Sequence, residues 1–293
     1  MGKIDFSKLS VVIPVFNEEE NIVGVIERLR KTVGDDAEVI VVDDGSTDRT
    51  PALLEKENVQ TVRHPYNKGN GASIKTGTRT ATRDFILFMD GDAQHRPEDI
   101  PKLIEHLDTY DMVVGARTPE TVQSIGRRLY NKSLNYFASY ITGHPIPDLT
   151  SGFRAIKRKV ARGFLHLLPN SFSYPTTITL SMMRAGFSVG FVPLTFDTRR
   201  GHSKIRPVRD GLRFMTILAR IASIFSPMRV FLPISLFFFG GGIVWYIYTF
   251  ITSHRFTNLT LFMLSTGVVV FMLGLVAEQI SLLRFDRVED DSE

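Results

Sequence analysis

Cysteine is absent from the 293-residue chain, which excludes a disulfide scaffold, thiolate-bound zinc and a cysteine nucleophile. No apolar run precedes the strand-like Leu9 to Val15, so no signal segment is expected and the leading part should stay on the cytosolic side. A Walker A loop is missing. Gly69-Asn70-Gly71 opens like a dinucleotide fingerprint, but the third glycine is not at the required spacing and no long strand leads directly into it, which argues against NAD binding.

Charge is scarce in only one part of the chain. Composition is 43% hydrophobic and 23% charged, and the mean hydropathy of +0.02 averages unlike regions: residues 1–205 read as an ordinary soluble domain, whereas 230–283 is almost uncharged. A bipartite protein follows.

The first 115 residues alternate strand and helix patterns. Leu9 to Val15 is a β-branched run followed by Asn17 as a helix N-cap, Glu20 three residues on, and Ile22, Val25, Ile26 and Leu29 at helical spacing. Glu38 to Val42 runs into Asp43-Asp44-Gly45-Ser46, and a helix is expected from Thr47 to Leu54 with Pro51 in its first turn. Further strands are expected at Gln60–Arg63 and Met112–Arg117, with a helix from about Gly71 to Thr80. Continuous apolar strands separated by helices argue for a mostly parallel sheet covered on both faces, with ligands beyond the carboxyl ends of its strands.

Two such ends are acidic. Phe85 to Met89 stops at Asp90-Gly91-Asp92; alternation points both carboxylates to one side, where hard oxygens suit Mg²⁺ or Mn²⁺ with phosphate oxygens as the remaining ligands. Asp43 or Asp44 would accept hydrogen bonds from a base or ribose. A nucleotide diphosphate satisfies both clusters.

Val11-Val12-Ile13-Pro14-Val15-Phe16-Asn17-Glu18, Val41-Val42-Asp43-Asp44-Gly45-Ser46, Asn67-Lys68-Gly69-Asn70-Gly71-Ala72, Asp90-Gly91-Asp92-Ala93-Gln94-His95 and Asp148-Leu149-Thr150-Ser151-Gly152-Phe153-Arg154 resemble, in order, the motifs of family 2 GT-A glycosyltransferases, in particular the dolichyl/polyprenyl-phosphate hexose synthases. The resemblance covers about residues 9–205. It implies an α/β GT-A fold and transfer of mannose or glucose from GDP or UDP to a polyprenyl or dolichyl phosphate. It further implies that Pro14, Asn17, Glu18 and Asp44 line the nucleoside pocket, that Lys68 lies near base or diphosphate, and that Asp90, Asp92 and Gln94 are the metal positions. Gln94 adds no charge there, and His95 reads as a structural hydrogen-bonder.

A phosphate monoester, with a second pKa of about 6, attacks without a general base, so orientation by basic groups suffices. Candidate phosphate holders are Arg117, Arg127, Arg128 and Arg154, with Arg199, Arg200, Ser203 and Lys204 of a basic Gly-x-Ser-Lys-like segment. Catalysis is assigned to Asp92, Arg117, Arg200 and Lys204. His202 stands where relatives commonly carry an acid.

From Arg206 the pattern changes. Arg206, Arg209, Arg213 and Arg220 fall opposite Leu212, Met215, Leu218 and Phe225, a basic amphipathic helix over 206–229 suited to an anionic membrane surface. Residues 230–251 and 259–283 are each long enough to span a hydrocarbon core of about 30 Å. Basic residues before the first span outnumber the single Arg255 between the two, so both termini, including an acidic tail over 284–293, are expected in the cytosol, at the plasma membrane if the source is prokaryotic. The partners implied are the nucleotide sugar, the lipid phosphate and the bilayer; no nucleic acid is implied, and a homo-oligomer is left open. A processive polysaccharide synthase would carry a Gln-x-x-Arg-Trp segment after the core, but the only tryptophan, Trp245, lies inside a span. An inactive membrane-anchored binding protein is the other alternative.

Overall fold

The computed structural model describes residues 5–118, 125–170, 174–197 and 225–290, the side chains of 125–127 and 284–290 excepted. These residues fall into two compact units. Tyr140–Gly143 and 225–290 form the second, and the rest form the first.

The first unit is built on a seven-stranded sheet of order β3-β2-β1-β4-β6-β5-β7, with β1 at Leu9–Val15, β2 at Glu38–Asp43, β3 at Gln60–Arg63, β4 at Phe85–Phe88, β5 at Met112–Arg117, β6 at Arg154–Lys157 and β7 at Val189–Leu194. All adjacent pairs are parallel except those made by β6, which runs against both β4 and β5. The central strands are apolar without alternation because both faces are covered: Val11, Val12, Ile13, Ile40, Val41 and Val42 are fully buried. Pro14 lies beyond the last β1–β4 pair, Val12 with Phe88, where a missing N–H leaves no ladder bond open on that side.

Helix α1, Ile22–Val33, turns Ile22, Val25, Ile26, Leu29 and Val33 into the core, and each such side chain stabilises the fold by roughly 1.5–3 kcal/mol. Helix α3, Asn70–Thr80, lies so close to β1 that a Cβ on Gly77 would sit 2.2 Å from Val12 Cγ1. The shorter helices are α2, Thr50–Leu54, and α4, Ile100–Ile104; α5, Ile125–Thr142, precedes β6, and α6, Arg158–Gly163, and α7, Tyr174–Arg184, follow it.

Two boundaries differ from the sequence expectation. Helix α1 begins after Asn21, not after Asn17, because Asn17 has a left-handed backbone, φ 55°. Its main-chain N–H donates to Ser46 Oγ and its Oδ1 accepts from Thr47 N–H, so it joins two loops instead of capping a helix. Those loops also hold Thr47 out of α2, which starts at Thr50.

The second unit is a hairpin of α8, Pro227–Ser253, and α9, Asn258–Asp290; the stretches Pro227–Ser253 and Asn258–Leu283 are each long and apolar enough to cross a membrane. Small residues bring the helices together. A Cβ on Gly242 would lie 2.9 Å from Leu264 Cδ2 and one on Gly267 2.9 Å from Phe239 Cβ, whereas Gly240 faces open space. Ser235 Oγ donates to Gly267 O at 2.7 Å, and Glu278 accepts from Met228 N–H at 3.3 Å, satisfying one of the open main-chain donors in the first turn of α8. His254, left-handed at φ 48°, ends α8. The residues expected to form an acidic tail continue α9 as far as Asp290. Most of the expected amphipathic segment, 206–224, lies outside the described residues.

Candidate active site

The acids at the end of β2 are buried. Asp43 is 0% exposed; its Oδ1 accepts from Ser46 N–H at 2.9 Å, and Arg63 Nε stands 3.2 Å from Oδ2. Asp44 Oδ1 accepts from Lys68 N–H at 2.9 Å and lies 2.7 Å from His64 Nδ1, while Oδ2 accepts from Gly69 N–H at 2.8 Å. Asp44 therefore organises the 64–69 loop from within. Lys68 itself is exposed, its ammonium 5.8 Å from the centre of the Tyr66 ring. Pro14 and Glu18 are half-buried nearby; Glu18 Oε2 accepts from Asn21 Nδ2 and its main-chain N–H donates to Thr50 Oγ1.

The acids after β4 are more accessible. Asp90 keeps 34% of its side chain exposed, Asp92 and Gln94 are half-buried, and Ala93 between them is left-handed at φ 60°. Asp92 Oδ1 accepts from Gln94 N–H at 3.2 Å. A Cβ on Gly91 would meet Val15 Cγ1 at 2.6 Å, so this glycine lets the turn pack on β1. His95 is buried beneath the turn, stacked on Phe153 at 5.0 Å and edge-on to Phe196. It accepts Asp90 N–H on Nδ1 at 2.9 Å, which puts its proton on Nε2, 3.6 Å from Asp90 Oδ2. Burial pushes the imidazole down to about 4, so it is neutral at physiological pH and holds the turn.

Loop 148–153, which leads into β6, closes one side of this turn. A Cβ on Gly152 would lie 2.7 Å from Asp90 Oδ2. Arg117, at the end of β5, donates from Nη1 to both oxygens of Asp148 at 3.0 and 3.2 Å and to Thr150 Oγ1 at 3.1 Å, with its guanidinium carbon 5.3 Å from the Phe196 ring centre. Arg117 and Asp148 also line an open cleft of about 1200 Å³, together with Arg128, Lys132 and Tyr136 of α5. Neither Asp90 nor Asp92 lines the cleft; Arg117 is linked to their turn through the Phe196 ring, which packs edge-on against His95.

Arg154 departs from the expected placement. It is 0% exposed, donates to Ser151 O, Pro175 O and Thr179 Oγ1, and faces the Tyr174 ring. β6 is an interior strand, so its first side chain points into protein, and this arginine is a buried strut that holds loop 148–153, not a phosphate holder. Arg128 is exposed along the cleft. Arg127's side chain, and Arg199, Arg200, Ser203 and Lys204, lie outside the described residues. Two participants were given no role by the sequence: Asp148, quoted only as part of a motif and paired here with Arg117, and Asp197, which accepts from Arg96, lies 3.6 Å from Arg28 Nη1 and bonds through its N–H to Gln94 O. Their types are common in loops, and only the fold brings them beside the turn.

Residues 10–164 match the model of Glycosyl transferase family 2. The chain belongs to that family. A second model, GtrB C-terminal hairpin, matches residues 226–283, which are α8 and the apolar part of α9. Among curated relatives of this family 2 chain, the undecaprenyl-phosphate 4-deoxy-4-formamido-L-arabinose transferase of Pectobacterium carotovorum is 32% identical over 66% of this chain and 64% of its own length. The dolichol-phosphate mannosyltransferase of Pyrococcus furiosus is 33% identical over 68% of this chain and 59% of its own. This chain thus spans about six tenths of the length of both. Glucosyl-3-phosphoglycerate synthase from Mycobacterium tuberculosis, crystallised with Mn²⁺, UDP and glucosyl-3-phosphoglycerate, shares the fold with a TM-score of 0.58 at 22% identity, covering 74% of this chain and 79% of that one.

A divalent metal fits this family 2 site in one manner. Asp90 and Asp92 offer hard carboxylate oxygens on an accessible turn, but no group of three or more acids or histidines forms a metal cage among the described residues. The remaining ligands of a Mg²⁺ or Mn²⁺ ion would come from a bound diphosphate.

Proposed function

We infer that this protein transfers a hexose from a nucleotide diphosphate to a polyprenyl phosphate at a membrane surface. The observation that carries the reading is the accessible Asp90–Asp92 turn, joined through His95 and Phe196 to the Arg117–Asp148 pair that lines the α5 cleft. Both curated relatives named above are transferases named for a polyprenyl phosphate, and the hairpin model supports anchoring of the chain in a bilayer.

Asp90 and Asp92, with Gln94 beside them, would hold the metal, whose charge stabilises the leaving nucleoside diphosphate when bound. Pro14, Asn17 and Glu18 would form the nucleoside side of the pocket, with Asp44 holding the 64–69 loop from which Lys68 reaches towards the diphosphate. Arg117 would face the acceptor phosphate: Asp148 fixes its guanidinium plane, leaving the remaining N–H groups for phosphate oxygens. Arg128 would add a second positive charge along the cleft. The phosphate dianion would attack the anomeric carbon in line and without a general base, inverting its configuration. Arg200 and Lys204 would join the acceptor from the segment after β7. Bilayer anchoring through residues 230–283 would keep the acceptor headgroup at high local concentration, and the excess of arginine ahead of α8 supports a cytosolic catalytic unit.

The test is incubation of the purified full chain in detergent, with Mn²⁺ or Mg²⁺, with labelled UDP-glucose or GDP-mannose and polyprenyl phosphate. A labelled lipid from one donor is expected. Hydrolysis of the donor with no lipid product would exclude the lipid acceptor.

A further inference from the structure

His64 follows β3, is 6% exposed, and lies outside every motif that carries the resemblance to glycosyltransferases. Its ring joins two elements. Nδ1 is 2.7 Å from Asp44 Oδ1 and Nε2 is 2.9 Å from Thr76 Oγ1 on α3. An ionised carboxylate only accepts, so Nδ1 carries a proton, and Nε2 shares its hydrogen bond with the Thr76 hydroxyl, which can donate or accept. The main-chain N–H of His64 also bonds to Asp43 O at 2.8 Å, tying the residue to the end of β2.

The object held by this relay is the carboxylate of Asp44, which itself accepts the consecutive main-chain N–H groups of Lys68 and Gly69. Those two residues enter α3, and Gly69 has φ 101°. Without a fixed acceptor, two adjacent amides at this turn would lose their partners. The loop also has little room: a Cβ on Gly45 would meet the Tyr66 main-chain carbon at 2.7 Å.

We propose that His64 is a positioning residue for donor binding: by locking the Asp44 rotamer against Thr76 it fixes the 64–69 loop, and with it the direction from which Lys68 approaches the diphosphate. The proposal rests on the donor pocket described above. Lysine has a long, rotamer-rich side chain, so its value to a ligand depends on where the backbone holds its root.

The variants separate the two ring contacts. Asparagine at 64 places an amide N–H near the position of Nδ1 and keeps the Asp44 bond; glutamine extends towards Thr76 and gives that bond up. Calorimetric titration of the full chain in detergent with UDP-glucose and GDP-mannose, in Mn²⁺, is the measurement. For whichever donor the wild type binds, His64→Ala and His64→Gln are expected to weaken affinity about tenfold and His64→Asn no more than about threefold. In a Lys68→Ala background, His64→Gln is expected to cost less than twofold, because the group it positions is gone. Wild-type affinity in a folded His64→Gln, or an undiminished tenfold loss in the Lys68→Ala background, overturns the relay alone. Failure of the wild type to bind either donor overturns the donor pocket itself.

Discussion

Two strand ends of this sheet carry pairs of acids, and the protein treats them in opposite ways. Asp43 and Asp44, at the end of β2, are buried; three main-chain N–H groups and the His64 ring donate to them, and Arg63 supplies counter-charge 3.2 Å from Asp43 Oδ2. Asp90 and Asp92, after β4, stand on a turn that leaves them partly open to solvent. Burying a carboxylate is costly unless hydrogen bonds and counter-charge offset the lost hydration. The β2 end therefore gives rigidity, whereas the β4 end keeps its charge where an ion and a diphosphate can reach it. Acidity at a strand end marks this face of the sheet; burial decides which acids shape it and which stay accessible.

Substitution at Asp92 is the strongest way to sharpen that contrast. Asp92→Asn is expected to cut transfer about a hundredfold or more, since several kcal/mol of charge stabilisation at the leaving group would be lost. Its melting temperature should stay close to wild type; turnover at saturating Mn²⁺ and a thermal melt check the two halves. Asp44→Asn should do the reverse at the level of folding, costing about 2–4 kcal/mol because an amide cannot accept all the bonds the carboxylate accepts. If denaturant unfolding showed the two variants equally stable, the division between scaffold and ligand site would fail.

Next in size is Arg128→Ala. This exposed residue should leave stability unchanged and lower kcat/KM for the lipid phosphate about tenfold with donor affinity intact, whereas Arg154→Ala should lower the melting temperature first. The smallest effects belong to the hairpin. Gly242→Leu pushes a side chain into Leu264 and is expected to destabilise the helix pair by about 1–3 kcal/mol. Gly240→Leu, facing open space, should change the detergent melt by less than about 0.5 kcal/mol.

Strands were legible in the sequence at the buried centre of the sheet and at its exposed β3 edge alike. Leu9–Val15, Gln60–Arg63 and Met112–Arg117 read as strands from their own residues, and the structure has the same bounds. Helix starts were less legible, because Asn17 has the side chain of an N-cap but the backbone of a left-handed turn. Its partners are Ser46 and Thr47, far along the chain, and no local pattern reports a contact of that range. The arginines show the same limit: Arg128 and Arg154 look equivalent as letters, yet one lies along an open cleft and the other lies under a loop. His64 was invisible for a related reason, since its meaning depends on a helix twelve residues away and a strand end twenty residues back.

The reversed strand β6 has a consequence for how this architecture tolerates change. In an all-parallel sheet, only segments leaving a strand reach the working face, and each returns through a helix. Because β6 runs the other way, the segment entering it arrives there, so Gly152 meets Asp90 and Asp148 meets Arg117. Residues inserted before β6 would remodel the neighbourhood of the Arg117–Asp148 pair and Asp90, whereas the opposite end of β6, where Lys157 leads into α6, lies on the far rim of the sheet. A single inverted strand thus brings an incoming segment to a face that a parallel sheet reaches only with outgoing ones.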